Sequence, residues 1–164
     1  DGENLRAELQ YLIDNDLKEK GEYQITNALE NMKQKGLKFA PGKVIEWLDC
    51  GNKNATVYTH SRWLELKKGE QLIDASLVKE NALVIEPCYI GKGVKIIGSV
   101  VGPHVSIADG SLIENSVIQN SIIQKNTRIQ NSVIANSMIG NSVEIMNQKL
   151  DLSVGDYTVF STGN

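Results

Sequence analysis

The chain has 164 residues, 41% of them hydrophobic, with 17 basic and 20 acidic side chains and a formal charge of −3. That length holds one or two compact domains, and the charge excludes a basic nucleic-acid footprint or a polybasic membrane patch. No apolar run approaches the roughly 20 residues that span a bilayer, no signal-peptide pattern opens the chain, and two cysteines, Cys50 and Cys88, cannot build a disulfide scaffold, which points to a reducing cytoplasm.

Residues 3–15 place Leu5, Leu9, Leu12 and Ile13 at helical spacing and predict a first helix. Residues 18–21 read as a polar turn. A second helix is expected over residues 25–35, with Leu29 and Met32 on one face and Gly36 as its stop signal. Pro41-Gly42 marks a turn, and residues 43–48 alternate enough (Val44, Ile45, Trp47) to predict a short strand. A third helix is expected over residues 54–66, closed by Lys67, Lys68 and Gly69. One strand among three helices is the end of an α/β domain, because a parallel sheet needs several such units.

Beyond residue 70 the composition changes. Both Trp, both Phe and four of the five Tyr lie outside residues 82–146, where Tyr89 is the only aromatic and four acids balance four bases. The stretch is a repeat in four units, residues 82–97, 98–114, 115–130 and 131–146. The last two share eight of sixteen residues, NSVIQNSIIQKNTRIQ over NSVIANSMIGNSVEIM. Each unit holds three steps marked by one aliphatic residue: Ile85, Ile90, Ile96, Val101, Ile107, Ile113, Ile118, Ile123, Ile129, Ile134, Ile139 and Ile145. Two positions earlier stands a smaller residue in every step except the first, where Leu83 occupies that place. A period of five to six residues fits neither a helix nor simple alternation. It fits a triangular coil of three short strands per turn, each coil stacked on the next, with Gly and Asn at the bends because they tolerate left-handed backbone angles. A single coil cannot cover its own apolar interior, so stability comes from stacking neighbours. The fold class expected is therefore a short α/β segment, residues 1–72, followed by a parallel β-helix, residues 73–164, with a terminal strand or cap over 147–164 that includes Leu152-Ser-Val-Gly-Asp-Tyr. Exposed coil ends and flat faces predict a homo-oligomer.

The repeat resembles the hexapeptide-repeat proteins, and that resemblance implies a left-handed prism. Many of those proteins are acyltransferases with a His base. Among the coils only His104 offers one, at a bend in Gly102-Pro-His-Val-Ser-Ile. No loop protrudes to wrap a coenzyme arm, so a solvated corner residue is the simpler reading of His104. Cys88 falls in the small-residue register and is explained by packing. Cys50 has no second Cys or His at zinc-ligand spacing.

The front of the chain points elsewhere. Gly21-Glu-Tyr-Gln-Ile-Thr-Asn-Ala-Leu followed by Glu46-Trp-Leu-Asp-Cys-Gly resembles the sugar-1-phosphate nucleotidyltransferases, the glucose-1-phosphate thymidylyltransferase branch most of all. Those enzymes carry G-E-x-x-[IL]-T-D opening a helix, then W-x-D-x-G, and long members add a β-helix tail. The resemblance implies that Asp49 coordinates Mg²⁺, a hard dication suited to carboxylate oxygens, and that Glu22 and Thr26 line the sugar-phosphate side of the cleft. It implies a nucleoside triphosphate and a sugar 1-phosphate as partners, while the charge and the absence of a long apolar run speak against nucleic acid and membrane. The residues also admit simpler roles: Asp49 capping the turn before Gly51, and Glu22 as a first-turn acid favoured by the helix dipole. Asn27 replaces the family's usual Asp. The family's Gly-rich nucleotide loop, its E-K-P segment and the upstream metal aspartate do not occur in this sequence. A longer parent enzyme is therefore expected, and no transferase activity from this chain alone, which lacks the backbone amides for a triphosphate. An acyltransferase using His104 and a non-catalytic assembly or regulatory module are the alternatives.

Overall fold

The computed structural model describes residues 2–147, 149–150 and 153–160. The chain forms two compact units, residues 1–46 and residues 47–164.

The first unit is a helix pair. α1 (Gly2–Asp14) and α2 (Ile25–Gln34) pack together, burying Leu12 against Ala28 and Met32. Glu8 is buried on the same face and pairs with Lys35, whose ammonium also sits 5.5 Å from the Tyr11 ring. Of the apolar residues that predicted α1, Ile13 faces solvent and Glu8 takes the buried place. Between the helices Glu19 and Glu22 form an antiparallel bridge around the expected turn. Gly36 ends α2 at φ +87, where only a residue free of Cβ strain is comfortable.

The strand expected over residues 43–48 does not form. The segment has no regular structure, and it leaves Val44 66%, Ile45 94% and Trp47 79% exposed. A strand is stabilised by its neighbours' hydrogen bonds and side chains, and no strand among the described residues pairs with this segment. The front of the chain is thus helical rather than α/β.

The second unit begins before the coils. α3 (Lys53–Leu66) is capped by the Asn52 side chain, which accepts from the Ala55 amide at 3.0 Å, and it buries Val57 and Leu64. The compositional break near residues 70–82 marks where the coils start, whereas the compact units part between Glu46 and Trp47 because α3 packs on the coils.

Three parallel sheets form the coil stack. One holds β1 (Val78–Glu80), β4 (Lys95–Ile97), β7 (Leu112–Glu114), β10 (Arg128–Gln130), β13 (Glu144–Met146) and β16 (Val159–Phe160). A second holds β2 (Leu83–Val84), β5 (Val100–Val101), β8 (Val117–Gln119), β11 (Val133–Ala135) and β14 (Lys149–Leu150). The third holds β3 (Cys88–Ile90), β6 (Val105–Ile107), β9 (Ser121–Ile123), β12 (Met138–Ile139) and β15 (Ser153–Val154). This is a parallel β-helix. Its first rung is Ile73, bridged to Ile90, and the described part of the expected cap continues the same three sheets; Leu152 lies outside the described residues.

Eleven of the twelve marked aliphatics, Ile90 through Ile145, are at most 1% exposed. Ile85 is the exception, at 39%. Val84 takes the inward place instead, since it pairs in register with Val101 and packs on the core. With Val84 inward, the residue two positions earlier is Ala82, and the Leu83 anomaly disappears.

The small residues do more than save space. Ser116 Oγ donates to the Glu114 carbonyl at 2.7 Å and accepts from the Ser132 amide one coil on at 3.1 Å. Ser99 Oγ likewise donates to the Ile97 carbonyl and accepts from the Ser116 amide at 2.9 Å. Ser121 repeats the device with the Ser137 amide at the next corner; at the third, Ser111 and Thr127 accept from the Thr127 and Val143 amides but donate to carbonyls of the next coil, Gln124 and Gly140. The buried hydroxyls of Ser99, Ser111, Ser116, Ser121 and Thr127 therefore tie neighbouring coils where a bend interrupts the ladder, as a buried polar group requires. The bends stand at positive φ: Asn81, Gly98, Asn115, Asn131 and Asn147 at one corner, His104, Asn120 and Asn136 at another, and Gly93, Gly110, Asn126, Ser142 and Tyr157 at the third.

Candidate functional site

Of the three residues that the sequence singled out, Glu22 and Thr26 stand in the first unit and Asp49 in the second. Glu22 is not in the first turn of a helix. It lies in the bridge before α2, exchanging backbone hydrogen bonds with Glu19 at 2.9 and 3.1 Å, and its Oε2 accepts from Gln24 at 3.4 Å. Thr26 is exposed in the first turn of α2, which opens at Ile25 behind an uncapped Gln24.

Asp49 precedes α3. Its Oδ1 accepts from the amides of Cys50 at 2.8 Å and Gly51 at 3.2 Å, and its carbonyl accepts from Thr59 Oγ1 at 2.5 Å. These bonds fold the Asp-Cys-Gly turn back onto the helix and leave the carboxylate exposed. Among the described residues no three His, Cys, Asp or Glu side chains gather at a point that could hold a metal. A lone exposed carboxylate fits the Mg²⁺ habit of taking one or two carboxylates and completing its shell with water and substrate phosphates, and Asp49 offers one such ligand.

The richest side-chain chemistry lies where α3 crosses the sheet of β3, β6, β9 and β12. Residues 57, 60, 61 and 64 share one helix face, which places His60 between the buried Val57 and Leu64. His60 Nε2 lies 2.6 Å from Ser106 Oγ on β6, and its Nδ1 is buried without a partner. Burial, and then the neighbouring His104, push the His60 imidazole down to about 4, so it is neutral at pH 7. His104, at φ +59 on its corner, places Nε2 2.6 Å from Glu65 Oε1 at the other end of α3. That hydrogen bond holds the Glu65 carboxyl below the usual carboxylate range, with Lys68, His104 and Arg62 adding charge in the same direction.

His104 stands at a corner, as its sequence position predicts, but it is half-buried against α3 and bonded to Glu65 rather than solvated. The acid beside it comes from a helix 39 residues upstream, a partner that local spacing could not reveal. The His60–Ser106 contact was equally invisible in sequence; the one available signal was the spacing of Val57, His60 and Leu64. A groove of about 280 Å³ opens alongside, lined by Trp63, Tyr89, Ser106, Ile122 and Gln124. With no carboxylate on its Nδ1, the His60–Ser106 pair lacks the orienting third member of a hydrolytic triad.

A further concavity of about 550 Å³ lies at the first rungs, around Asp74, Tyr89, Lys92 and Asp109. Both carboxylates there are engaged in holding the coil. Asp74 accepts from the Ser76 hydroxyl and amide, and Asp109 accepts from the Lys92 amide and pairs with Lys125. These bonds, led by Ser76 and by Lys92, lower the two acids. Cys88 is buried in the small-residue row with its thiol on the Ile85 carbonyl at 3.0 Å, and burial pushes it up to about 11. It is inert at neutral pH. No helix among the described residues is long and apolar enough to cross a membrane.

A scan of protein-family models finds no match for the chain, and a search of curated proteins finds none either.

Proposed function

We propose that the chain is the C-terminal portion of a sugar-1-phosphate nucleotidyltransferase of the glucose-1-phosphate thymidylyltransferase type, with a left-handed coil stack. The whole enzyme joins a nucleoside triphosphate to a sugar 1-phosphate, giving a nucleotide-sugar and pyrophosphate. The order of parts carries this reading: Gly21-Glu-Tyr-Gln-Ile-Thr running into α2, Trp47-Leu-Asp-Cys-Gly turning into α3, then a parallel β-helix.

In that enzyme Asp49 is one of the Mg²⁺ ligands. The bound ion supplies charge neutralisation at the phosphates, while the Cys50 and Gly51 amides hold the carboxylate in place. Glu22 and Thr26 are the groups offered to the sugar phosphate. The sugar is glucose 1-phosphate in this reading, and the chain alone is inactive. The test is pyrophosphate release by a longer polypeptide that includes the upstream sequence. Activity abolished by Asp49→Asn, which keeps the Oδ1 acceptor of the turn and loses the charge, supports the reading. No release with any nucleoside triphosphate overturns it.

The 2.6 Å His104–Glu65 pair favours a second reading, acyl transfer with His104 as general base. Acyl-coenzyme A turnover that His104→Ala abolishes would establish it, and absence of coenzyme binding would dismiss it.

A further inference from the structure

Asp49 stands with the coils. Residues 47–164 form one compact unit, whereas Glu22 and Thr26 stand in the other. Two consecutive residues of α3 make the tie. Thr59 and His60 point about 100° apart around the helix. Thr59 Oγ1 donates to the Asp49 carbonyl at 2.5 Å, while His60 Nε2 lies 2.6 Å from Ser106 Oγ on β6. Thr56 adds a bond to the Cys50 carbonyl at 3.2 Å, and the Cys50 and Gly51 amides hold the carboxylate itself. Each link from the β6 ladder to Asp49 is thus a hydrogen bond or a helix turn, and none is a long loop.

Packing alone does not require the His60–Ser106 link. Val57 and Leu64, at 3% and 0% exposed, already bury this face of α3. His60 keeps Nδ1 buried without a partner, a cost that an apolar side chain at the same place would avoid. What the imidazole supplies is direction. Tyr89, Ser106, Ile122 and Met138 stand in one outward column of the coils, each in register with the next. Ser106 is the one small polar rung among these four. An apolar helix face can slide along such a column, and a directional bond to one rung fixes its height and rotation. The Glu65–His104 bond fixes the far end of the helix in the same way.

We propose that the coil stack sets the position of Asp49 through His60 and Ser106, which are positioning residues and not catalytic ones. For Mg²⁺ the inference rests on the ligand role proposed for Asp49. A group that shares an ion with substrate phosphates has to be held within about 0.5 Å of its working place by a rigid support. Here that support is the β-helix, which makes the coils a working part of the transferase half.

Two-dimensional amide NMR of the chain, without metal or nucleotide, tests it. Thr59→Val cuts the bond to Asp49 and sets the reference displacement of the Cys50 and Gly51 cross-peaks. Ser106→Ala and His60→Leu cut the link to the coils instead. Both should move the two peaks along the same line and quicken exchange of those amides about two- to tenfold. His60→Gln, whose amide can still donate to the Ser106 hydroxyl, should hold the peaks near their wild-type places. Ser116→Ala weakens the coils away from α3 and should leave the peaks unmoved, which separates positioning from loss of stability. Peaks that stay in place in both Ser106→Ala and His60→Leu overturn the proposal, as do peaks that Ser116→Ala moves as far. With no metal present, that failure leaves the role of Asp49 untouched, whereas pyrophosphate release by a longer Asp49→Asn polypeptide would remove that role and leave the coupling standing.

Discussion

Ser116→Ala separates two accounts of the small-residue row, one in which it merely saves space and one in which it ties the coils. Ser116 is 2% exposed, and its hydroxyl serves both as donor to the Glu114 carbonyl and as acceptor for the Ser132 amide. Alanine fits the space but strands the Ser132 amide in a residue that is itself 2% exposed. A buried donor left without a partner costs about 1–3 kcal/mol. Loss of the hydroxyl's own bond adds about 0.5–1.5 kcal/mol. Urea unfolding followed by circular dichroism measures the sum. With a slope of about 1–3 kcal/mol/M, a loss near 2 kcal/mol lowers the midpoint by about 1 M. Ser116→Thr keeps the hydroxyl, as Thr127 does at an equivalent corner, and should lose less. A Ser116→Ala midpoint within error of the wild type would refute the reasoning and reduce the serine row to packing.

Ile118→Ala, at a fully buried core position, should lose about 2–5 kcal/mol in the same titration. Asn131→Ala should lose about 1–2 kcal/mol because Asn131 stands at φ +48, whereas Asn131→Gly should be nearly neutral. His60 titrates at about 4 in the folded chain against an ordinary 6.5, so the unfolded state binds more protons between those values. Stability should be intact above about pH 6.5 and fall as the pH drops toward 4, by at most ~1.4 kcal/mol per unit. A His60→Asn variant should show a shallower pH dependence of its urea midpoint over that range. Carbon NMR should find the Glu65 carboxyl titrating below its ordinary range, and higher in His104→Asn than in the wild type.

The coils were legible because their stability is local and repeated. One inward aliphatic every five or six residues, with a small partner two positions earlier, admits few other folds. The register slipped only at the first coil, where Ile85 and Val84 are adjacent and both apolar. The edge rung has one neighbour to settle the choice, and pairing of Val84 with Val101 settles it. The strand over residues 43–48 failed for the opposite reason. Val44, Ile45 and Trp47 have the pattern of a strand, but a strand is a property of its partners, and no strand among the described residues pairs with this segment. At the candidate site, Asp49 and its turn were readable from Asp-Cys-Gly. Glu22 stands three residues before Ile25, where the expected start of the second helix already put it, so it is not a first-turn acid. The pairing of His104 with Glu65, and of His60 with Ser106, depends on α3 lying across the coils, a tertiary fact without a local signature.

The most direct test of the central claim is a phosphorus NMR time course of the longer polypeptide with Mg²⁺, a nucleoside triphosphate and glucose 1-phosphate. Nucleotide-sugar and pyrophosphate should appear in equal amounts, and neither should form with Asp49→Asn. Substrates that persist unchanged with every nucleoside triphosphate, in a folded polypeptide, would contradict it.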